Sequence, residues 1–352
     1  MQWNRFGAVL LMIGGIILFA VIIGVPQYAP TLIATSMIAT TLRVAAPLTL
    51  GALSGIFCER AGVVNIAIEG MMLMAAFFGF LGSIYTNQFL LANGGLDETA
   101  RVAISLGVGV VLAIFSGAMT GLLHAVLSVT YKVDQIISGT VINILAVGIT
   151  GFLNRALFFQ GSIPHAPGVL PIIKIPVLSD LPVVGPVFQQ QPIAVASILF
   201  VFIAHFVLFY TRWGLRTRSV GEHPRAADTL GINVIRMRYA NVIIGGCIAG
   251  LAGAYFTLES VPSFEPLLTN GRGFIALAAM IFGNWNPFGA WAAALLFGSA
   301  QALQINAQAF GFPIPSQFIG MLPYILTMIA MTGIIGRTTP PAADGQAYSP
   351  GG

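Results

Sequence analysis

The stretch Arg212-Trp213-Gly214-Leu215-Arg216-Thr217-Arg218, with its continuation to Ile235-Arg236-Met237-Arg238, holds six of the thirteen arginines in the chain. Long apolar runs lie on both sides of it. One arginine at the centre of a bilayer costs about 2.5–3.5 kcal/mol, so six would cost on the order of 15 kcal/mol. The 212–238 loop must therefore lie outside a membrane that the flanking runs cross. Clustered arginine in a short loop marks the cytoplasmic side, and a structured loop there predicts a surface for another protein.

The composition is that of an integral membrane protein. The chain has 352 residues, of which 57% are hydrophobic and only 7% are charged, whereas soluble domains carry about 25% charge. The net charge of +4 reflects membrane topology, because no basic-aromatic cluster of the kind that binds nucleic acid is present. Cys58 and Cys247 lie in apolar surroundings and are interpreted as packing residues. The apolar run from Phe6 to Val25 is interpreted as an uncleaved first span.

Apolar runs of about twenty residues, separated by polar or Pro/Gly segments, predict about ten helical spans. The predicted spans cover residues 7–25, 38–57, 65–85, 101–129, 136–157, 192–211, 239–259, 272–283, 289–307 and 316–336. The chain is thus predicted to be an all-α polytopic membrane protein with one transmembrane domain over residues 1–337. The 272–283 span is short enough to be a half-helix.

Basic residues indicate the orientation. With the N-terminus inside, ten basic residues lie on the inner side and four on the outer side. The inner set is Arg5, Arg60, Lys132, the six arginines of the 212–238 loop and Arg337. The outer set is Arg101, Arg155, Lys174 and Arg272. This asymmetry predicts a multi-pass protein with both termini in the cytoplasm.

Two segments outside the spans have a distinct composition. The outer segment 159–192 is rich in proline and is predicted to be an extended, stiff surface loop. The tail 338–352 is polar and small and is predicted to be disordered. Within the spans, Gly117/Gly121 and Gly246/Gly250 are small residues four apart, which let helices approach closely. They are predicted to pack helices within this chain, with contact to a second subunit as the alternative.

The sequence lacks the residues of an enzyme or an ATPase. The only lysines, Lys132 and Lys174, do not follow a Gly-rich loop, which excludes a Walker motif. The four histidines have no metal-ligand spacing, so neither a metal nor a cofactor is predicted. An ion-coupled carrier would show several ionisable residues deep in its spans. The candidates here are only Arg43, Glu69 and Glu259. The chain is interpreted as a transport protein whose energy is supplied by another protein.

Three segments together resemble a known family. They are Glu59-Arg60-Ala61-Gly62-Val63-Val64-Asn65-Ile66 with its continuation to Met72, Gly221-Glu222-His223-Pro224-Arg225-Ala226-Ala227 with its continuation to Asn233, and Gly271-Arg272-Gly273 with its continuation through Trp285-Asn286-Pro287 to Gly289. They resemble the permease subunits of bacterial ATP-binding-cassette importers in the branched-chain amino acid/ribose permease superfamily. The first segment and the Trp-Asn-Pro ending are similar to the nucleoside, or simple-sugar, uptake branch.

The resemblance implies a role for the 212–238 loop. In such importers a short cytoplasmic coupling helix of the permease sits in a cleft of the ATPase subunit, and the matching segment here is 224–230. Proline is harmless in a first helical turn, and glycine stops helices. The implied coupling residues are Glu222, Pro224, Arg225, Ala226, Ala227 and Gly231. Relatives often carry an acidic residue where this chain has Arg225.

The resemblance also implies a fold and partners. The fold has two inverted halves, and the predicted topology agrees, since spans 2–5 begin outside and spans 7–10 begin inside. The implied partners are a cytoplasmic ATP-binding subunit, a second and non-identical permease subunit, an extracytoplasmic substrate-binding protein and membrane lipid. Asn65, Glu69 and Asn143 are candidates for the substrate pathway. Hydrogen bonding or ion pairing within the subunit is the alternative for these three.

The predicted function is uptake of nucleosides with energy from a separate ATPase. One alternative is the same machine importing a sugar or a riboflavin-like solute. Another is an ion-coupled secondary carrier, and a membrane enzyme is a more distant one.

Overall fold

The computed structural model describes residues 2–23, 30–158, 165–174, 176–181, 184–311, 315–322, 325, 328 and 338–349. Almost all of the ordered structure in these ranges is helical. In lipid, a helix satisfies every backbone polar group within its own segment, so a chain this apolar has few other solutions. The helices are α1 Gln2–Ile23, α2 Pro30–Glu59, α3 Ile68–Asn93, α4 Glu98–Ala125, α5 Gln135–Phe158, α6 Pro192–Tyr210, α7 Arg212–Glu222, α8 Pro224–Thr229, α9 Val234–Ala254, α10 Arg272–Phe282, α11 Pro287–Ala309 and α12 Ser316–Gly320.

Two of the long helices end in a wider turn. Helix α4 continues as one π-helical turn over Val126–Thr130, and α9 continues in the same way over Tyr255–Ser260. Two strands of two residues, β1 at Ile173–Lys174 and β2 at Gln189–Gln190, pair antiparallel, and a 3-10 turn at Gly185–Phe188 precedes β2.

Seven helices in the described ranges are long and apolar enough to cross a membrane, which confirms a multi-pass, all-α protein. These seven are α2, α3, α4 with its π turn, α5, α6, α9 with its π turn, and α11. Helix α1 has 22 residues, with a shorter apolar stretch at Leu11–Val21. Helix α10 has only 11 residues, about 16 Å at 1.5 Å per residue, as predicted for a half-helix. Most of the tenth predicted span, and Arg337, lie outside the described residues.

The bundle has a buried centre and an exposed periphery. The most apolar stretches of α2 and α9 are 89% and 83% buried, whereas those of α4 and α5 are both 28% buried. The exposed faces of α4 and α5 are apolar, including Phe115, Ile144 and Phe152. An apolar outward face is what a helix in contact with lipid requires, so α2 and α9 form the core and α4 and α5 the rim.

The small residues pack helices against one another within the chain. A Cβ atom on Gly117 would lie 2.3 Å from the carbonyl oxygen of Gly246. A Cβ atom on Gly250 would lie 2.6 Å from the carbonyl oxygen of Ala113. Only glycine permits backbones this close, and the close approach of α4 and α9 replaces the hydrophobic drive that lipid does not supply. The structure therefore gives these glycines the intramolecular role that the sequence predicted.

The outer segment is more structured than predicted. Where it is described, it folds back on the bundle: Ala166 N donates to Pro262 O at 2.8 Å and Leu170 N donates to Leu258 O at 2.8 Å. The β1–β2 pair then closes a small hairpin. The sequence did not predict these contacts, because a strand pair of only two residues leaves no periodic hydrophobic pattern. Residues 159–164 lie outside the described ranges.

The C-terminal segment also differs from its prediction. Residues 338–349 are not a disordered tail but lie against the helix ends. Thr339 N donates to Asn284 Oδ1 at 2.8 Å, and Ala343 N donates to Gly221 O at 2.9 Å. Pro341 and Ala343 are buried. Low hydrophobicity predicted disorder because such a segment has little core of its own, but here the bundle supplies the surface on which it packs.

Candidate coupling site at one end of the bundle

The three segments that carry the family resemblance meet at one end of the bundle. At their centre is the 59–67 turn, which links α2 to α3. Helix α2 ends in a tight reversal in which Gly62 N donates to Glu59 O at 2.9 Å and Val63 N donates to Cys58 O at 3.1 Å. Gly62 has φ +80°, a conformation that favours glycine. The reversal sends the chain back into the bundle, so that α3 begins only at Ile68.

The third segment is fixed directly to this turn. The indole Nε1 of Trp285 donates to Glu59 Oε2 at 2.6 Å, and the Glu59 side chain is buried. Arg60 Nε donates to Trp285 O at 3.0 Å. Asn284 and Trp285 both have positive φ, of 54° and 52°, and such a reversal is what presents the Trp285 carbonyl and indole to the turn. The α10–α11 connection and the α2–α3 connection therefore form one unit.

The second segment packs on the same turn through Gly221. Its Cα approaches so closely that a Cβ atom there would lie 2.2 Å from Arg60 O and 2.8 Å from Arg60 C. Helix α7 reaches this position after a sharp break from α6, where Thr211 caps α7 by accepting from Gly214 N at 3.2 Å. The arginine-rich loop is thus attached to the core rather than hanging free.

The predicted coupling helix is present as α8. Pro224 is its first residue, as expected for a residue without a backbone N–H. Gly231, at φ +79°, ends it, and its N–H donates to Asp228 O at 2.8 Å. Asn233 then caps α9 by accepting from Arg236 N at 2.8 Å.

The predicted coupling residues divide into exposed and internal positions. Arg225 and Ala226 are exposed, whereas Ala227 is only 2% exposed and packs with Val220 and Val234. Glu222 accepts from Ala342 N at 3.1 Å and so faces the C-terminal segment. Leu230 lies in the predicted segment 224–230 but was not among the predicted coupling residues. This side chain is 81% exposed at the end of α8, an unusual position for a large apolar group unless another protein covers it.

Two of the three predicted pathway residues hold backbone segments in place. Asn65 is fully buried, and its Oδ1 accepts from Ala67 N at 3.1 Å. Asn143, on α5, donates from Nδ2 to Ile66 O at 3.0 Å and accepts at Oδ1 from Gly70 N at 2.7 Å. Both amides therefore support the non-helical entry to α3, where backbone groups would otherwise lack partners.

Glu69, the third pathway residue, caps the half-helix α10. Its Oε1 accepts from Thr269 Oγ1 at 2.6 Å and from Gly271 N at 2.8 Å, and its Oε2 accepts from Gly273 N at 2.6 Å. A carboxylate at a helix N-terminus is stabilised by the free N–H groups and the helix dipole. Glu69 thus links the start of α3 to the start of α10, and both starts lie within the bundle.

Sequence reasoning also missed the polar groups that hold the 59–67 turn from the side of α4 and α5. Gln135 Oε1 accepts from Val64 N at 2.7 Å, and His124 Nε2 lies 2.9 Å from Val64 O. Since that carbonyl can only accept, Nε2 carries the proton. Isolated polar residues near helix ends gave no sequence pattern that could have identified them.

Sequence comparison agrees with this arrangement of segments. Residues 37–331 match the family described as branched-chain amino acid transport system / permease component. The chain belongs to this permease family. The matched range includes every segment of the coupling site except the C-terminal one.

Curated relatives of the permease cover nearly its whole length. It is 42% identical over 319 residues to the guanosine ABC transporter permease protein NupQ of Bacillus subtilis, a match that covers 90% of this chain and 97% of the relative. It is 38% identical to the nucleoside ABC transporter permease protein NupC of Lactococcus lactis, over 89% of this chain and 96% of the relative. The putative glucose ABC transporter permease protein TsgC13 of Haloferax volcanii is 32% identical, over 87% and 93%. No solved structure matches the permease.

Proposed function

We propose that this permease is a transmembrane subunit of an ATP-binding-cassette importer for nucleosides. The observation that carries the proposal is the convergence of α8, the 59–67 turn and the Trp285 turn at one end of the bundle. The similarity to guanosine and nucleoside permeases supports the substrate class. A neutral, polar nucleoside also suits a bundle with few charged side chains.

The geometry supports a route for mechanical coupling. A partner ATPase that binds the exposed face of α8 would displace α7, because the two helices are consecutive. Gly221 would pass the movement to Arg60 through direct backbone contact. The 59–67 turn would carry it to Asn65 and to the Glu69 cap of α10. Two helix starts inside the bundle would then move together, a displacement that alternating access could use.

The finer topology is part of the proposal. We expect ten spans arranged as two inverted halves, both termini in the cytoplasm, and residence in an inner membrane. The fact that Arg60, Lys132, the 212–238 loop and residues 338–349 lie at one end of the bundle supports this orientation. ATP hydrolysis would belong to a separate subunit, a second permease would complete the pathway, and a binding protein would deliver the solute.

An ion-coupled carrier is less well supported. Its candidate carboxylates are Glu69 and Glu259, and both already accept from N–H donors. Glu259 Oε2 accepts from Ile193 N at 2.6 Å and its Oε1 from Ala194 N at 3.1 Å, at the start of α6. A carboxylate that already accepts from two or three donors has few lone pairs left for a cation.

Uptake in vesicles tests the function. The permease would be reconstituted with its ATPase, second permease and binding protein, and uptake of labelled guanosine, uridine and glucose compared. We expect ATP-dependent uptake of the two nucleosides and not of glucose. Glucose uptake alone would favour the sugar alternative, and uptake driven by a proton gradient without ATPase would favour the ion-coupled one.

Replacing Leu230 by alanine should weaken binding of the ATPase subunit about tenfold. Burying a leucine side chain contributes about 1.5–3 kcal/mol, and alanine forfeits most of it. Leu215 on α7 is also exposed, at 60%, but lies outside α8, so Leu215→Ala is the matched control. Titrating detergent-solubilised permease with ATPase measures both. Equal binding by the two variants would refute α8 as the contact helix.

A further inference from the structure

Residues 338–349, called the strap below, lie across the coupling site and touch each of its segments. Thr339 N donates to Asn284 Oδ1 at 2.8 Å, in the turn that carries Trp285. Ala342 N donates to Glu222 Oε2 at 3.1 Å, and Ala343 N donates to Gly221 O at 2.9 Å, both on α7. A Cβ atom on Gly62 would lie 3.1 Å from Ala343 O, which puts the strap against the 59–67 turn as well.

The far end of the strap supports α8 itself. Tyr348 is buried and packs with Ala227, Val234 and Met237. Its hydroxyl donates to Asp228 Oδ2 at 2.7 Å. Arg238, fully buried at the start of α9, donates from Nη1 to Gln346 O at 2.7 Å. The strap therefore supplies the largest buried side chain of the small apolar cluster beneath α8, against which Trp213 also packs.

Helix α8 depends on outside contacts for its stability. It has six residues, and helices this short are unstable in water unless tertiary packing holds them. Its inward side chain is Ala227, which offers little apolar surface of its own. The Tyr348 ring provides the apolar surface that Ala227 lacks, and the Tyr348 hydroxyl adds a hydrogen bond to Asp228. The family match ends at residue 331, so these contacts lie outside the region that the family shares.

We propose that the strap is a positioning element for energy coupling: it fixes α8 to the 59–67 turn, so that displacement of α8 by the ATPase reaches the bundle. This inference rests on the proposed function. The outward residues Arg225, Ala226 and Leu230 are exposed. Without the strap, Ala227 still packs with Val220 and Val234, so α8 should become more mobile but keep a surface that binds the ATPase, while its displacement reaches the 59–67 turn less well.

Truncation after Pro340 tests the proposal. The mobility of α8 is read from the EPR line shape of a nitroxide at Ala226→Cys in the permease without its ATPase, in a Cys247→Ala background, since Cys58 is fully buried. Uptake, ATPase binding and ATP hydrolysis are measured in the unlabelled assembled transporter. We expect truncation to sharpen that line shape, to lower guanosine uptake at least fivefold, and to leave the ATPase bound and hydrolysing ATP. Removing only residues 350–352 is the matched control and should change none of these.

Point variants separate the strap's contacts. Tyr348→Ala should reproduce the truncation, whereas Tyr348→Phe keeps the ring and should have a smaller effect. Lys132→Ala removes only the exposed bond of Lys132 Nζ to Ser349 Oγ and should change uptake less than twofold. If truncation leaves the α8 line shape and uptake unchanged, the proposal is overturned. If the intact complex takes up no nucleoside, the proposed function fails, while the line shape still decides whether the strap immobilises α8.

The docked strap should tighten as the pH falls. The Asp344 carboxyl is part of this packing, and its Oδ1 is buried and accepts no hydrogen bond from the described residues. Burial raises the pKa of this carboxyl to about 7 from its usual 3.8. Asp344 faces Glu59 of α2 and Arg238 of α9 and lies near the Cys58 thiol. Because the docked state holds the proton more tightly, docking is strongest at low pH and weakens as pH rises through this pKa.

A nitroxide on the strap itself measures this dependence. Ala347 is exposed, so Ala347→Cys can carry the label without loss of packing. The immobile fraction of its line shape should fall from pH 6 to pH 8. Asp344→Asn, which cannot ionise, should make that fall smaller. A wild-type line shape independent of pH, or one as pH-dependent in the asparagine variant, would contradict the assignment to Asp344.

Discussion

Replacing Gly221 by valine is expected to abolish nucleoside uptake, by about a hundredfold, while the bundle still inserts and folds. A Cβ atom at this position would lie 2.2 Å from Arg60 O and 2.8 Å from Arg60 C, and both are backbone atoms that cannot rotate away. Overpacking usually costs about 1–3 kcal/mol, and a backbone overlap of this size belongs at the upper end. The cheapest relief is for α7 to lift off the 59–67 turn, which breaks the coupling route but spares the spans.

Ser219→Val provides the control for this prediction. It places the same valine side chain on the same helix two residues earlier, where the Ser219 hydroxyl donates to Leu215 O at 2.8 Å within α7. Uptake, ATPase binding and thermal stability in detergent should be measured for both variants. Wild-type uptake by Gly221→Val would show that the contact with Arg60 does not transmit movement. Loss of folded protein equal to the loss of uptake would show that Gly221 serves stability alone.

The sequence was sufficient for the broad architecture. Runs of about twenty apolar residues identified the spans. The bilayer thickness sets the length of each span, and lipid requires a helix that satisfies its own backbone hydrogen bonds. The packing role of the glycines in α4 and α9 could also be predicted, since small residues four positions apart commonly allow close helix packing in lipid. The short length of α10 followed from the polar Asn284–Asn286 ending.

The segments that could not be predicted pack on surfaces that form only when distant parts of the sequence come together. The hairpin at Gln189–Gln190 and the strap at 338–349 both contact helices that come from distant parts of the chain. Their own composition indicates loops, and the stabilising partner becomes visible only after the bundle has formed. Tyr348 illustrates this best, because its partners Asp228 and Ala227 are about 120 residues away in sequence.

The candidate site was identified in part. Motif spacing located α8 and the reversal at Gly231, because proline and glycine have strict conformational preferences. It did not reveal which face of α8 is outward, so Ala227 was grouped with Ala226 and Leu230 was left out. Asn65 and Asn143 were chosen as polar residues in apolar spans. That property is shared by residues that line a pathway and by residues that cap broken helices, and only the hydrogen bonds distinguish the two.

Replacing Glu69 by glutamine should cost about 4 kcal/mol of stability and eliminate transport. The carboxylate accepts from three donors at 2.6–2.8 Å, and hydrogen bonds to a charged group contribute about 1.5–3 kcal/mol each. Glutamine keeps one acceptor and turns an N–H group towards a backbone N–H. Gly273 leaves no room for readjustment, since a Cβ there would already lie 2.6 Å from the Glu69 Cα. The melting temperature in detergent should fall by about 10 °C.

The Glu69→Gln variant distinguishes a structural role of Glu69 from a role in substrate binding. If the carboxylate holds α10 to α3, the melting temperature and the rate of uptake fall together at every nucleoside concentration. If it binds nucleoside, the protein stays stable and the concentration needed for half-maximal uptake rises. Glu98→Gln is the control, because Glu98 is exposed as the first residue of α4 and should change neither quantity. Since all three donors lie within 269–273, just before and at the start of α10, we expect the first result, with the half-helix as the element that coupling moves.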